Sequence, residues 1–385
     1  MTAPARSLNE ERLLEARRIV LKIGSALIVD QDTGTLHSTW LQALCRDVAA
    51  IRESGREVVI VSSGAVALGA RQLGIHPARA RLAESQAAAA AGQILLAHAY
   101  QEILASHGII AAQVLLTLDD SESRRRFLNA VSTLFTLLKC GAVPVVNEND
   151  TVATEEIRYG DNDRLAARVA QMVSADCLIL LSDVDGLFTA DPLLDPAARH
   201  IPEVAELTKE HWQMAGGPSS GHGSGGMRTK LDAARIAMGA GCRLVITSGR
   251  VCNPIQAFRE GARATWFMPR STPTAARKQW IAGTLQPRGT VTVDEGAKRA
   301  LAAGRSLLPA GVTDVNGEFE RGEAVRVADH EGNELGRGLI AYAAAEARAI
   351  AGRRSDAIGE ILGYRGRDEM IHRDDLVLIH PERGR

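Results

Sequence analysis

Through residues 1–270, short, mostly apolar runs alternate with longer stretches of helical periodicity. The runs are Ile19–Ile23, Val58–Val61, Ile110–Leu116, Val143–Val146, Cys177–Leu181 and Arg243–Thr247. Runs without polar alternation predict strands covered on both faces. Between them, Thr39–Ser54 carries Leu41, Leu44, Val48 and Ile51 on one helical stripe, and Leu82–Ser106 is a long alanine-rich helix pattern. Further helices are predicted over Ser123–Cys140, from Gly160-Asp161-Asn162-Asp163 to Met172, and over Leu231–Gly239. Ser7-Leu8-Asn9-Glu10 is a capping box that predicts a short helix over 8–16. The alternation predicts an α/β domain with a mostly parallel sheet.

The pattern changes after Thr265-Trp266-Phe267. Pro269, Pro273 and Pro287, with charges between them, predict a linker over 271–286. Beyond it, Thr290–Val293 reads as a strand and 295–303 as a short helix. Ala324–Val327 and Leu335–Tyr342 form a hairpin about Asp329–Asn333, and Leu376–Ile379 is a last strand. The organisation expected is a domain over 1–270, a linker over 271–286 and a small β-barrel-like domain over 287–385.

Composition narrows the class. A net charge of -1 over 385 residues gives no long-range pull towards nucleic acid or an anionic membrane. Five cysteines, none in a CxxC pair, predict buried thiols in a reducing compartment rather than disulfides or a zinc site. No apolar run approaches the roughly 18 residues of a membrane span. Arg17-Arg18 precedes an apolar run that Lys22 interrupts, without a small-residue cleavage site, so no export signal is expected and the location expected is cytoplasmic.

The predicted strands end in small, polar or glycine residues: Gly24-Ser25, Ser62-Ser63-Gly64, Asn147–Asp150, Ser182-Asp183 and Ser248-Gly249. In open α/β sheets ligands bind beyond the carboxyl ends of the strands, so these endings predict one shared rim. Gly216–Lys230 is a glycine-rich loop running into a helix, which suits a phosphate cradle; taken alone it equally fits a flexible Gly/Ser linker. It is not a Walker A loop, because Met227 stands where the lysine would be. Lys22, in a strand covered on both faces, points to function, and with Lys230 it could clamp a transferring phosphoryl group. Asn147-Glu148-Asn149-Asp150 and Gly160-Asp161-Asn162-Asp163 repeat an unusual chemistry, although an Asp or Asn at a helix start is also an ordinary cap. Asp150 offers a carboxylate for an ammonium, and Asn147 or Asn162 offers amide donors for a carboxylate; the ligand implied is an amino acid. No Gly-x-Gly-x-x-Gly follows the first strand, which argues against a dinucleotide-dependent dehydrogenase.

These segments resemble the glutamate kinases of the amino acid kinase family. The likeness rests on Val20–Ser25, Val59–Ala65, Val145–Asp150, Gly160–Asp163, Leu181–Leu187 and Gly225–Lys230, and the C-terminal region looks like a PUA domain. The resemblance implies a three-layer αβα sandwich and ATP-dependent phosphorylation of the L-glutamate side chain, the first step of proline synthesis. It implies Lys22 and Lys230 at the γ-phosphoryl group, with Asp163 holding them. Ser63, Gly64, Asn147, Asp150 and Asn162 would bind glutamate. Lys22, Ser182, Asp183 and Ser224, Gly225, Gly226, Met227, Arg228, Thr229 and Lys230 would bind ATP. Magnesium would sit on the phosphates rather than on protein ligands. Proline as feedback inhibitor, a glutamyl phosphate reductase as functional partner and a homo-oligomer are implied as well. Ser62 and Ser182 stand where many relatives carry threonine; both keep a hydroxyl. Aspartate, acetylglutamate or a nucleotide remains an alternative substrate within the superfamily. RNA binding by the C-terminal domain is the alternative outside it, disfavoured because acidic residues slightly outnumber basic ones in 286–385.

Overall fold

The computed structural model describes residues 6–30, 32–76, 79–152, 162–215, 226–284 and 286–379. They group into two compact units, Met1–Glu122 with Asn129–Pro273, and Ser123–Leu128 with Thr274–Arg385.

The first unit opens with α1 (Leu8–Leu14), whose cap Ser7 accepts from the Glu10 amide, 3.1 Å. There follow β1 (Arg18–Ile23), a single turn α2 (Ser25–Ile28), α3 (Ser38–Glu53), β2 (Glu57–Val61), α4 (Ala65–Leu73) and α5 (Leu82–Ala105). Then come β3 (Ala111–Leu116), α6 (Leu118–Glu122), α7 (Arg124–Lys139), β4 (Val143–Glu148), α8 (Asn162–Met172) and β5 (Cys177–Ser182). The helix expected over Ser123–Cys140 is thus preceded by a separate short helix. The chain continues through β6 (Leu187–Phe188), β7 (His200–Ile201), β8 (Glu203–Val204), α9 (Lys209–Met214), α10 (Met227–Gly239), β9 (Arg243–Ser248), α11 (Pro254–Arg259) and β10 (Ala264–Phe267).

Among the described residues one sheet has the order β3-β4-β2-β1-β5-β9-β10-β8. It is parallel except where β10 pairs with β9. Thr265–Phe267, read in sequence as the end of a domain, is this antiparallel strand. β1 has β2 on one side and β5 on the other, and the connections change direction there. A switch point of this kind opens a crevice beyond the strand ends.

The period of two along β1 divides its side chains. Ile19, Leu21 and Ile23 are fully buried in one core with Leu41, Leu44 and Val48 of α3, Leu96 and Tyr100 of α5, and Phe258 of α11. Val20 and Lys22 therefore face the opposite layer, where α8 packs on β1 and β5 and against α10. The N-terminal extension closes one edge. The Asn9 side-chain amide donates to the Phe258 and Ala262 carbonyls at 3.0 and 2.9 Å, and its oxygen accepts from the Trp266 indole at 2.9 Å.

The second unit has its own core. The stretch expected as a linker holds α12 (Pro273–Thr284). It is helical for an identifiable reason: Ile281 is buried with Ala324 and Leu339, and the Arg277 guanidinium grips Asp375. Proline at its first position suits a helix start. Next come β11 (Gly289–Val293), α13 (Glu295–Ala302), β12 (Val312–Gly317), β13 (Ala324–Ala328), β14 (Glu334–Leu339), α14 (Ala344–Ile350), α15 (Ile358–Leu362) and β15 (Leu376–Leu378). The strands form a sheet of order β12-β11-β13-β14-β15, around Val291, Val325, Val327, Tyr342, Ile350 and Met370. The hairpin about Asp329–Asn333 pairs as expected. Among the described residues the five strands form a sheet packed by short helices, with no closed barrel.

Candidate active site

Parallel register brings the strand endings to one rim: Lys22 of β1 lies beside Val61 of β2 and Leu180 of β5, and Ser182 beside Ser248. Lys22 projects towards the start of α8, where its ammonium meets Asp163 Oδ1 at 2.5 Å. Lys230, in the first turn of α10, reaches Asp163 Oδ2 at 3.3 Å, and Thr229 Oγ1 donates to the same oxygen at 3.2 Å. Asp163 is 1% exposed, Lys230 5% and Lys22 9%. Burial pushes the Asp163 carboxyl up, but the charges of Lys22 and Lys230 and their hydrogen bonds outweigh it and hold the group at about 2. Two cations thus share one carboxylate, and the three side chains carry one net positive charge. A buried net charge of this kind suits an incoming anion.

On the β2–β4 side of this cluster lies an amide network. Asn162 Nδ2 donates to the Ser62 carbonyl at 3.0 Å, to Ser63 Oγ at 2.7 Å and to Asn147 Oδ1 at 3.2 Å. The Glu148 amide also donates to Asn147 Oδ1, 2.9 Å. The donors of Asn162, expected from sequence to meet a substrate carboxylate, are therefore already engaged. Its Oδ1 is buried without a hydrogen-bond partner among the described residues. Asp150 sits in the 3-10 turn Asp150–Val152, just after β4. Desolvation raises its carboxyl to about 6, its own backbone hydrogen bond opposing. Among the described residues no cation pairs with it. Gly64 precedes α4 at φ 101°, a left-handed conformation that favours glycine.

On the β5–β9 side, Ser182 Oγ donates to Asp183 Oδ1 at 2.9 Å. Gly226, Met227, Arg228 and Thr229 form the cap and first turn of α10, which lacks a side-chain cap. Its leading amides are those a phosphate can accept from. Ser224 and Gly225, the rest of the glycine loop with His222, and Gly160 and Asp161 lie outside the described residues. Among the described residues no group of three or more His, Cys, Asp or Glu side chains could hold a metal ion.

Two residues of α5 reach this site although sequence reasoning passed over them. Gln93 Oε1 accepts from Asn147 Nδ2 at 2.7 Å, and the fully buried Tyr100 hydroxyl bonds Ser62 Oγ at 3.1 Å. The available signal was a glutamine and a tyrosine seven apart, hence on one face, in a run otherwise dominated by alanine. A cavity of about 520 Å³ in this unit lies elsewhere, between Ser7 and Glu10 at the start of α1, Ala50 of α3 and Arg259 of α11. Its polar groups serve each other: Glu10 pairs with Arg259, and Asp47 accepts from the Asn253 side chain and the Ile255 amide.

Residues 17–248 match the amino acid kinase family, and residues 289–362 match the PUA domain. The chain is 63% identical over 366 residues to the glutamate 5-kinase of Paramagnetospirillum magneticum, covering 95% of this chain and 99% of that one. It is 60% identical to the glutamate 5-kinase of Rhodospirillum rubrum (93% and 96% covered) and 57% identical to that of Agrobacterium fabrum (97% and 95%).

Proposed function

We infer from this chain, which belongs to the amino acid kinase family, an enzyme that transfers the γ-phosphoryl group of ATP to the side-chain carboxylate of L-glutamate. The products are L-glutamyl 5-phosphate and ADP, and the reaction opens proline synthesis. The observation that carries this reading is the buried Asp163 between Lys22 and Lys230, at the switch point between two differently equipped sides of the rim.

The nucleophile is a carboxylate oxygen, ionised at neutral pH, so no general base is required. It attacks the γ-phosphorus while the bond to the β-phosphate oxygen breaks and ADP leaves with that electron pair. Lys22 and Lys230 lie where charge spreads over the transferring group, and Asp163 fixes both ammonium groups. The first turn of α10, with Ser182 and Asp183, takes the nucleotide. Magnesium supplies charge neutralisation to the phosphates. The donor set suits an ion carried on those phosphates, since lysines and helix amides bind phosphate oxygens rather than metals.

On the acceptor side, the glutamate ammonium meets the Asp150 carboxylate and Asn162 Oδ1. The α-carboxylate meets Ser63 and the amides at Gly64 and the start of α4. Asn147 orients Asn162. Proline carries the same ammonium and carboxylate and would compete here as a feedback inhibitor. The acyl phosphate product is labile, so a reductase that consumes it is the functional partner, and the working form is a homo-oligomer.

Hydroxylamine traps an acyl phosphate as a hydroxamate. With ATP and magnesium, hydroxamate should form from glutamate and at most weakly from aspartate, while acetylglutamate and nucleoside monophosphates should consume little ATP. Turnover of aspartate without turnover of glutamate would overturn the assignment.

A further inference from the structure

Gln93 touches Asn147, which the resemblance assigned to glutamate and the structure engages in orienting Asn162, and it ends that chain of hydrogen bonds. Two backbone groups fix the sense of that chain. The Glu148 amide can only donate, so Asn147 must turn its oxygen towards it at 2.9 Å. The Ser62 carbonyl can only accept, so Asn162 must turn its Nδ2 towards it at 3.0 Å. Asn147 Oδ1 then faces Asn162 Nδ2, and Asn147 Nδ2 is directed away, at Gln93. Asn147 is 2% exposed, so no bulk water can replace a lost acceptor there. The result at the far end is the polarity of Asn162: three acceptors share the two N–H groups of its nitrogen, and its buried oxygen, without a hydrogen-bond partner among the described residues, is left for a ligand.

Gln93 is in turn held by its helix. α5 crosses α4 where Gly92 meets Gly69. A Cβ on Gly92 would lie 1.8 Å from the Ala65 carbonyl oxygen, and one on Gly69 1.8 Å from that of Ala88. Ala65 is the first residue of α4, directly after Gly64. The crossing therefore fixes Gln93 relative to the strand ending it serves.

We propose that Gln93 is a positioning residue that makes the enzyme select substrates with a free ammonium group, by locking Asn147 and through it the acceptor oxygen of Asn162. This rests on the assignment of Asn162 Oδ1 to the glutamate ammonium. Its principal effect passes through that oxygen to the ammonium, while Asn162 Nδ2 stays held by the Ser62 carbonyl.

The test compares glutamate with glutarate, which lacks the ammonium, in the full-length enzyme. Gln93→Met removes the acceptor at similar volume. It is expected to raise the KM for glutamate about tenfold, with kcat and the KM for ATP changed less than twofold. The Ki of glutarate, as a competitor of glutamate, should also change less than twofold. Gln93→Leu takes its place if the methionine variant does not fold. Gln93→Glu retains an acceptor and should hold the glutamate KM within about threefold of wild type. Equal losses for glutamate and glutarate would reduce Gln93 to a general structural support and overturn the proposal. So would no change for either ligand, or a Gln93→Glu variant as impaired as Gln93→Met. A wild-type enzyme that binds glutarate as tightly as glutamate would instead overturn the ammonium site on which the proposal rests.

Discussion

Lys22 and Lys230 are held by one buried carboxylate, and that sets what each substitution should do. Lys22→Ala or Lys230→Ala removes one of two charge donors and should lower kcat on the order of a hundredfold, measured in the hydroxamate assay at saturating substrates. Asp163→Asn leaves two buried ammonium groups facing each other without their counter-charge. It should destabilise the apoenzyme by about 3–5 kcal/mol in denaturant titration, and ATP should restore part of the loss. The pH dependence separates the two carboxylates. Asp163 titrates below its unfolded value, so its contribution to stability is complete above about pH 4 and disappears as pH falls towards 2. Asp150 is raised to about 6, so in the free enzyme it is protonated below that pH and cannot attract an ammonium. The KM for glutamate should rise up to tenfold per pH unit as pH falls below about 6, with the KM for ATP flat; Asp150→Asn should abolish that slope and raise KM above about pH 6. A glutamate KM independent of pH between 5 and 7 would remove Asp150 from substrate binding. Lys22, Asp163 and Lys230 were legible in sequence because each breaks its local rule: a lysine in an apolar strand, an Asp-Asn-Asp triplet at a helix start, a lysine just after a glycine-rich loop. Gln93 breaks no rule. Its importance comes from Asn147, and residues fifty-odd apart in sequence announce no contact. The polarity of Asn162 was misread for the same reason, since which end of an amide is spoken for depends on neighbours brought in by folding.

At the scale of elements, the crossing of α4 and α5 is the point of least tolerance. Neither glycine can take a Cβ without moving a backbone carbonyl. Gly69→Ala and Gly92→Ala should each cost about 1–3 kcal/mol in stability, as overpacked cores do. Because α5 carries Gln93 and Tyr100, they should also raise the KM for glutamate more than that for ATP. Equal changes in both constants would mean that the crossing supports the whole fold evenly. Strands were legible because β1, β2, β4, β5 and β9 are built on short apolar runs without polar alternation. β10 was missed because Ala264–Phe267 is short and abuts the proline-marked stretch. α12 was read as linker because the prolines and charges of this stretch mask the few contacts that hold it, Arg277 on Asp375 and Ile281 with Ala324 and Leu339.

At the scale of the molecule, the two units have separate hydrophobic cores, and every described residue assigned to substrate or nucleotide lies in the first. A chain ending near residue 273 should fold and retain glutamate-dependent hydroxamate formation; loss of kcat in a folded truncation would assign the second unit a part in the chemistry. The switch point at β1 has a consequence for how such enzymes can be retargeted. On the proposed assignments, the strands to one side of β1 carry the residues that read the acceptor and those to the other side the residues that hold the nucleotide. Acceptor choice and phosphoryl donor would then be separately heritable traits of one scaffold. A mutational library confined to residues 62–64, 93, 147–150 and 162 can explore new carboxylates while the ATP side stays untouched, so variants with a changed acceptor should keep the parental affinity for ATP.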